Sequence, residues 1–330
     1  MLEKILVVRP EGLYCPAGDF YLDPRGKVNK AVITHAHSDH GRPGHQNYLC
    51  SSPCLPLLRH RLGAGISAEG LPFGKSISIG DARLSFHPAG HILGSAQVRV
   101  EVGGSVWVVS GDYKPQADQT CEPFELVPCD GFISECTFGL PVYRWKAEEE
   151  IHAEINDWWK ENAGQGMPSV LFAYSLGKAQ RVLAGLDPSI GSIFAHNAIH
   201  PFLPLYAESG IQLPNVCRVN GEPRDWSDSI IIAPPAVEDA KWLNLFRGAR
   251  KAFASGWMAI RGARRRRNLD RGFVLSDHAD WDGLVNVIEE TGAEEIKMTH
   301  GNGDALVRYL RERGKNASAL EGAVLRGEEE

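Results

Sequence analysis

Six consecutive residues, His35-Ala36-His37-Ser38-Asp39-His40, carry four side chains able to bind a metal ion. The apolar, β-branched run at 31–34 leads straight into them, so the segment is expected to leave the end of a strand. In extended chain alternate side chains share a face, which lets His35 and His37 grip one ion. Asp39 and His40 lie past the turn and face a second. Without metal such a cluster is costly, because protonated imidazoles at close quarters repel. Chemistry and position add His91, in the glycine-rich loop 88–95, and Asp112, just past a strand ending at Ser110. A carboxylate such as Asp112 can bridge two cations. His300, in Thr299-His300-Gly301 at another strand end, completes the second set. Mixed histidine and carboxylate ligation suits zinc, manganese or iron rather than calcium. Two such ions polarise phosphoryl or carbonyl oxygens and bring the pKa of water towards neutrality. These residues therefore read as a hydrolytic centre, open at this point to phosphodiester, carbonyl and lactam substrates. His45, His60, His87, His152, His196 and His200 have no comparable setting and read as structural.

The elements that must position these groups are short. Strands are expected at 5–8, 31–34, 83–87, 96–102, 105–110 and 131–134, with Gly103-Gly104 turning a hairpin. Ligand-type residues recur at their ends, where a sheet can hold loops around one site. From about Leu140 the texture changes. A helix is expected at 148–162, with an apolar stripe of Ile151, Ile155, Trp158 and Trp159. A strand at 169–174, a helix at 178–186 and strands at 192–195 and 229–233 follow, the last stopped by Pro234-Pro235. This alternation predicts a parallel sheet with helices. Strand–loop units at 272–276 and 295–299 then each end near a histidine. The organisation is an α/β region, 141–259, inserted into a domain made from 1–140 and 260–330.

With 330 residues, 43% hydrophobic and 23% charged, the chain has ample material for more than one core. No apolar run reaches the roughly 18–20 residues of a membrane span. The first ten residues lack a basic region followed by a long apolar stretch, so a secretory signal is not expected. Seven cysteines without a CxxC pair fit reduced thiols in a cytoplasm. The net charge of −6 does not advertise a nucleic-acid binder, yet the charges are segregated. Nine basic residues and one acid, Asp270, lie between Arg247 and Arg271, including Arg264-Arg265-Arg266-Arg267. Alone, such a run reads as a solvated face. Gly177-Lys178 at a helix start could cradle a phosphate, although it lacks the spacing of a P-loop.

The ordered motifs resemble the metallo-β-lactamase superfamily: the hexad 35–40, His91 in Gly90-His91-Ile92-Leu93-Gly94-Ser95, and Asp112 in Ser110-Gly111-Asp112-Tyr113. Asp23, in Tyr21-Leu22-Asp23-Pro24, resembles the early aspartate that supports the hexad loop; it also reads as a turn carboxylate before proline, with Asp19 a weaker candidate. The remainder resembles the β-CASP nuclease branch. Glu135, in Ser134-Glu135-Cys136-Thr137, matches its acidic motif, His278 in Asp277-His278-Ala279-Asp280 its first histidine motif, and His300 the second. Tyr174-Ser175-Leu176-Gly177-Lys178-Ala179-Gln180 matches the helix-opening motif of the inserted domain, which small-molecule hydrolases of the superfamily lack. Cys136 stands where a small residue is usual, so it reads as a buried small side chain or a redox-sensitive thiol. Nearly the whole chain resembles the bacterial ligase-associated DNA exonucleases.

That resemblance implies a four-layer αβ/βα metallo-β-lactamase sandwich with an inserted α/β β-CASP cap and an active site in the cleft between them. It implies a metal-dependent DNA exonuclease in repair or end processing, cytoplasmic, acting beside an ATP-dependent DNA ligase and a helicase. His35, His37 and His91 would hold one divalent transition metal, Zn or Mn, and Asp39, His40 and His300 the other, with Asp112 between. His278 would contact the phosphate or protonate the leaving oxygen, oriented by Glu135, and the product would carry a 5′-phosphate. Lys178, Trp257, Arg261 and Arg264, Arg265, Arg266 and Arg267 become candidate nucleic-acid contacts, Trp257 as a stacking platform or as core. Two alternatives stay open: an RNA-processing β-CASP nuclease, and a non-catalytic β-CASP scaffold, against which the full ligand set argues.

Overall fold

Short strands joined by turns open the chain. In the computed structural model, β1 (Val7–Arg9), β2 (Gly12–Cys15), β3 (Phe20–Leu22), β4 (Lys30–Val32), β5 (Asn47–Ser51) and β6 (Ala68–Leu71) lie side by side in chain order. The first three pair antiparallel; from β3 to β6 the pairing is parallel. Helix α1 (Cys54–Leu62) makes the crossover between β5 and β6, as parallel neighbours require. A meander follows: β7 (Ser76–Ile79), β8 (Ala82–Pro88), β9 (Ala96–Val102) and β10 (Ser105–Val109), with Gly103-Gly104 turning the last hairpin. Strand β11 (Gly131–Cys136) then pairs parallel to β10. Residues 5–220, 225–238, 241–260, 262, 269–301 and 303–320 are described.

Contacts divide the chain into two units, Met1–Arg144 with His278–Glu330, and Trp145–Asp277. The second unit holds α2 (Glu148–Gly164), β12 (Ser169–Phe172), α3 (Lys178–Ala184), β13 (Ile193–Ala195), α4 (Leu203–Glu208), β14 (Cys217–Arg218), β15 (Ile230–Ala233), β16 (Arg250–Ala254) and β17 (Arg271–Phe273). All its strand pairs are parallel, in the order β14-β13-β15-β12-β16-β17. Its central strands are buried on both faces, which explains their unbroken apolar runs. One face packs against Ile151, Ile155, Trp158 and Trp159 of α2 and Val182 and Leu183 of α3. The other packs against Trp226, Phe246 and Met258.

The sequence reading closes the insert at 259, whereas the second contact unit runs to Asp277. Strand β17 hydrogen-bonds beside β16, and Phe273 and Leu275 enter the second unit's core. Strand β16 itself escaped notice, since its apolar stretch, Ala252 to Ala254, is short and preceded by two cations.

The first unit resumes with α5 (Trp281–Glu290), β18 (Glu295–Gly301), α6 (Asp304–Glu312) and β19 (Asn316–Ala319). Its second sheet runs β19-β18-β11-β10-β9-β8-β7. One face meets the first sheet in a shared core of Leu22, Val32, Leu84, Phe86, Val98 and Trp107. The other is covered by Trp281, Leu284, Ile288, Leu306 and Leu310 of α5 and α6. Each such Leu or Ile contributes about 1.5–3 kcal/mol on burial. Strands β10, β11 and β18 run parallel, so their carboxyl ends open on one edge of the sheet. In α/β sheets that edge is where ligands bind. No helix among the described residues is long and apolar enough to cross a membrane.

Candidate metal centre

Strand ends deliver the polar groups. Asp23 follows β3, the hexad follows β4, His91 follows β8, Asp112 follows β10, and Glu135 and His300 lie at the carboxyl ends of β11 and β18. The loops are tied before any metal is considered. Arg61 donates from Nη1 to the carbonyls of Ala36 and Gly41, at 2.7 and 3.2 Å, and so braces the hexad. Ser95 Oγ accepts from the backbone N–H groups of His91 and Ile92, which closes the His91 loop.

His35, His37, His91 and Asp112 bring ligand atoms within 4.8 Å of one another, as do His40, Asp112 and His300, and His35, Asp39 and His40. Asp112 thus belongs to the first two of these groups. Its Oδ2 lies 3.5 Å from His35 Nε2, 3.5 Å from His40 Nε2 and 3.8 Å from His91 Nε2. Asp39 Oδ2 is 3.5 Å from His40 Nε2, and the His40 and His300 rings stack at 4.9 Å. These separations are long for hydrogen bonds, yet two ligands held tetrahedrally about 2.1 Å from one zinc stand about 3.4 Å apart.

A physical test supports a cation here. His35 Nε2, His40 Nε2 and Asp112 Oδ1 are buried without a hydrogen-bond partner. Each would cost about 1–3 kcal/mol if nothing satisfied it. The donor set of imidazoles and carboxylates suits a divalent transition metal.

The protein's own field prepares the ligands. Burial holds the His35 imidazole well below the usual histidine range, reinforced by His40, against the pull of Asp112; it is neutral and ready to ligate. His40 is also penalised by burial, but Asp39, Asp112 and Asp23 outweigh that and hold it well above the usual range. A cation entering there competes with its proton. Asp112 is ionised: burial opposes the charge, and His40, His35 and His278 overcome it. Burial, then His40, lowers His300.

Asp23 supports this centre from behind. Its Oδ2 accepts from His40 Nδ1 at 2.7 Å and Thr34 Oγ1 at 2.6 Å, and its Oδ1 accepts from the Thr34 N–H at 2.8 Å. That leaves His40 Nε2 pointing at Asp112. Asp19, the weaker sequence candidate, lies elsewhere, accepting from Tyr14 Oη with its side chain 69% exposed. Thr34 is a participant that residue chemistry alone missed; its only signal was its place next to His35.

His300 reaches the centre through a bulge. Pairing of β11 with β18 shifts between Glu135↔Thr299 and Cys136↔Gly301, so His300 is the extra residue, with φ 54°. Bulges re-aim side chains next to functional sites. Gly301 has φ 79°, and a Cβ there would sit 2.4 Å from the Cys136 carbonyl oxygen. Cys136 Sγ donates to the carbonyls of Thr299 and His300. Burial raises its thiol to about 12, so Cys136 fastens the bulge rather than serving as a reactive thiolate.

Glu135 is fully buried beside the centre. Its Oε1 accepts from the Tyr113 N–H at 2.8 Å, and His278 Nδ1 lies 2.9 and 3.0 Å from its two oxygens. The Tyr113 carbonyl accepts in turn from the Ala279 N–H, and Asp280 caps α5 by accepting from the Gly283 N–H. Asp112, Glu135 and His278 also form a possible ligand group. The six histidines read as structural join none of these groups.

The candidate nucleic-acid contacts fare differently. Lys178 is only 2% exposed and pairs with Asp277 at 2.7 Å inside the second unit, a setting unlike the open phosphate cradle expected. Nearby Arg181 donates to the Ser276 carbonyl at 2.7 Å. Trp257 is half-buried and packs against the second unit's core. Arg261 and Arg264, Arg265, Arg266 and Arg267 lie outside the described residues.

No protein family model matches the chain. It is 34% identical over 318 residues to a protein of Opitutus terrae named "Probable DNA ligase", a match covering 94% of this chain and 30% of that one. It is 24% identical over 237 residues to the transcription termination factor FttA of Methanosarcina mazei, covering 57% and 37%. With the endoribonuclease YSH1 of Yarrowia lipolytica it shares 28% identity over 127 residues, covering 36% and 14%. The chain therefore spans well under half the length of each relative. Among solved structures, a protein of unknown function from Enterococcus faecalis shares the fold, with a TM-score of 0.60, 12% identity and coverage of 82% and 74%.

Proposed function

We propose that the chain is a metal-dependent phosphodiesterase of the β-CASP branch of the metallo-β-lactamase superfamily, acting on DNA as an exonuclease. The observation that carries this reading is the convergence of seven ligand-type side chains beside the buried Glu135 and its partner His278. The relatives named as an endoribonuclease, a termination factor and a DNA ligase support a nucleic-acid substrate. In this reading the first unit is the metallo-β-lactamase domain and the second the β-CASP cap.

His35, His37 and His91 would hold one cation, Asp39, His40 and His300 the other, and Asp112 would touch both. Bound there, divalent ions supply Lewis-acid stabilisation of phosphoryl oxygens and acidify water. Asp23 fixes the His40 ring so that Nε2 faces inward. Glu135 would accept from Nδ1 of a doubly protonated His278, whose Nε2–H passes its proton to the leaving oxygen and leaves the ring neutral. Arg261 and Arg264, Arg265, Arg266 and Arg267 remain proposed phosphate contacts. The match to a protein named as a DNA ligase supports action beside such a ligase, and a helicase is the further proposed associate.

RNA is the second reading, favoured by the relative named as an endoribonuclease. The deciding assay digests end-labelled single- and double-stranded DNA and RNA of one sequence with zinc or manganese. Stepwise loss of terminal nucleotides from DNA supports the exonuclease. Internal cuts confined to RNA overturn it, and no cleavage of any strand removes the nuclease reading.

A further inference from the structure

Two turns of the first unit lie side by side at the rim of the candidate metal centre. One, around Arg25 and Lys27, follows Asp23; the other, around Arg42 and Gly44, follows His40. Two hydrogen bonds tie them together: the Val28 N–H donates to His45 Nδ1 at 3.4 Å, and the Gln46 N–H donates to the Val28 carbonyl at 3.0 Å. The Lys27 stem runs over Gly44, its Cε 3.0 Å from where a Cβ would stand. Tyr48 Oη donates to the Arg42 carbonyl at 3.0 Å and holds the second turn from below.

This arrangement gathers three cations with little to neutralise them. Arg25 and Lys27 are exposed, and Arg42 is half-buried. Among the described residues none of the three forms an ion pair. Arg42 is tethered from Nε to the Asp39 carbonyl at 3.1 Å, a bond that does not engage its two terminal nitrogens. The Arg25 guanidinium is disfavoured first by burial and then by the like charge of Arg42, with Asp39 opposing. Once Asp39 is engaged on a cation, its charge no longer balances the arginines. Guanidiniums present forked donors whose geometry matches a phosphate, and a bound anion offsets like charges on neighbouring turns.

We propose that Arg25 and Arg42, with Lys27 beside them, form a subsite for a phosphate of the nucleic-acid substrate adjacent to the scissile one. The proposal rests on the nuclease reading and deepens it. The phosphate is either an internal diester or a terminal monoester, since both offer the same oxygens.

The test compares wild type with Arg25→Gln, Arg42→Gln and the double variant, with Arg83→Gln as a charge control. Arg83 is exposed on β8 and takes no part in the site. Substrates are single-stranded oligonucleotides with a 5′-phosphate or a 5′-hydroxyl, and bis(p-nitrophenyl) phosphate, which has no neighbouring phosphate. Arg25→Gln should raise KM for the oligonucleotides about tenfold, the double variant more, and both at least tenfold more than for the small diester. Binding of labelled strands, followed by anisotropy, should lose salt dependence by about 0.7 in log–log slope per contact removed. Weakening confined to the 5′-phosphorylated strand assigns the subsite to a terminal phosphate; equal weakening of both strands assigns it to an internal diester. Equal losses on oligonucleotide and small diester, with metal content intact, would overturn the proposal, as would an unchanged salt slope. A wild type that hydrolyses neither substrate removes the nuclease reading. The anisotropy arm then decides the subsite alone, and equal binding by wild type and double variant overturns it.

Discussion

Glu135 faces the His278 ring with both carboxylate oxygens, 2.9 and 3.0 Å from Nδ1, while its Oε1 also accepts from the Tyr113 backbone. A carboxylate in that position orients a histidine and stabilises its protonated form. His278→Ala should retain both metals and lose turnover of DNA by roughly 10²–10⁴-fold. A nitrophenyl diester, whose leaving group needs no proton, should be spared most of that loss. Equal losses on both substrates would make His278 a phosphate clamp, and loss of metal would make it a ligand. Glu135→Gln should act on the same step, shifting kcat more than KM.

His300 and Gly301 are expected to fail in different ways. His300→Ala should lower occupancy of one metal site, as read by elemental analysis, and excess manganese should restore part of the activity. Gly301→Ala forces a Cβ against the Cys136 carbonyl at a positive φ. It should destabilise the protein by about 1–3 kcal/mol in denaturant titration even without metal. Unaltered stability would show that the bulge tolerates a side chain.

Asp23→Asn should weaken metal binding by roughly 10–100-fold, since it removes the acceptor that fixes His40. Asp19→Asn, which changes an exposed carboxylate of the same sheet, should leave metal affinity within twofold. Equal effects of the two would reduce Asp23 to a turn residue.

Chelation tests the centre as a whole. Two divalent ions per chain are expected in elemental analysis, and His37→Ala or Asp112→Ala should abolish hydrolysis. Removing metal should lower the thermal midpoint, because ligand present at a hundred times its Kd stabilises by about 2.7 kcal/mol. A midpoint and activity indifferent to chelators would remove the metal reading.

The buried Lys178–Asp277 pair makes a prediction about the second unit. Lys178→Met removes the cation that faces the Asp277 carboxylate and should cost about 3–5 kcal/mol, whereas Lys178→Met with Asp277→Leu should cost much less. Reduced oligonucleotide binding in Lys178→Met at unchanged stability would return Lys178 to the phosphate contacts.

How much of this was legible in the chain depends on how local each cause is. The hexad, His91 and Asp112 announce themselves because ligand chemistry resides in residue type and strand ends are marked by apolar runs that stop. The parallel sheet of the second unit was equally legible, since its doubly buried strands must be continuously apolar. Other features depend on approach between distant segments. Asp23 was preferred to Asp19 by resemblance, but its contact with His40, 17 residues away, appears only in the folded chain. The bulge that turns His300 inward arises from the register between β11 and β18, which share no sequence neighbourhood. Lys178 looked like an open cation until its partner, 99 positions along, closed over it. The second contact unit runs past 259 because β17 hydrogen-bonds to β16, a pairing that no punctuation in the chain announces. Residue type and local order thus determined which groups could do chemistry. Register, burial and long-range pairing decided which of them stand together, because those depend on the whole core and not on any one segment.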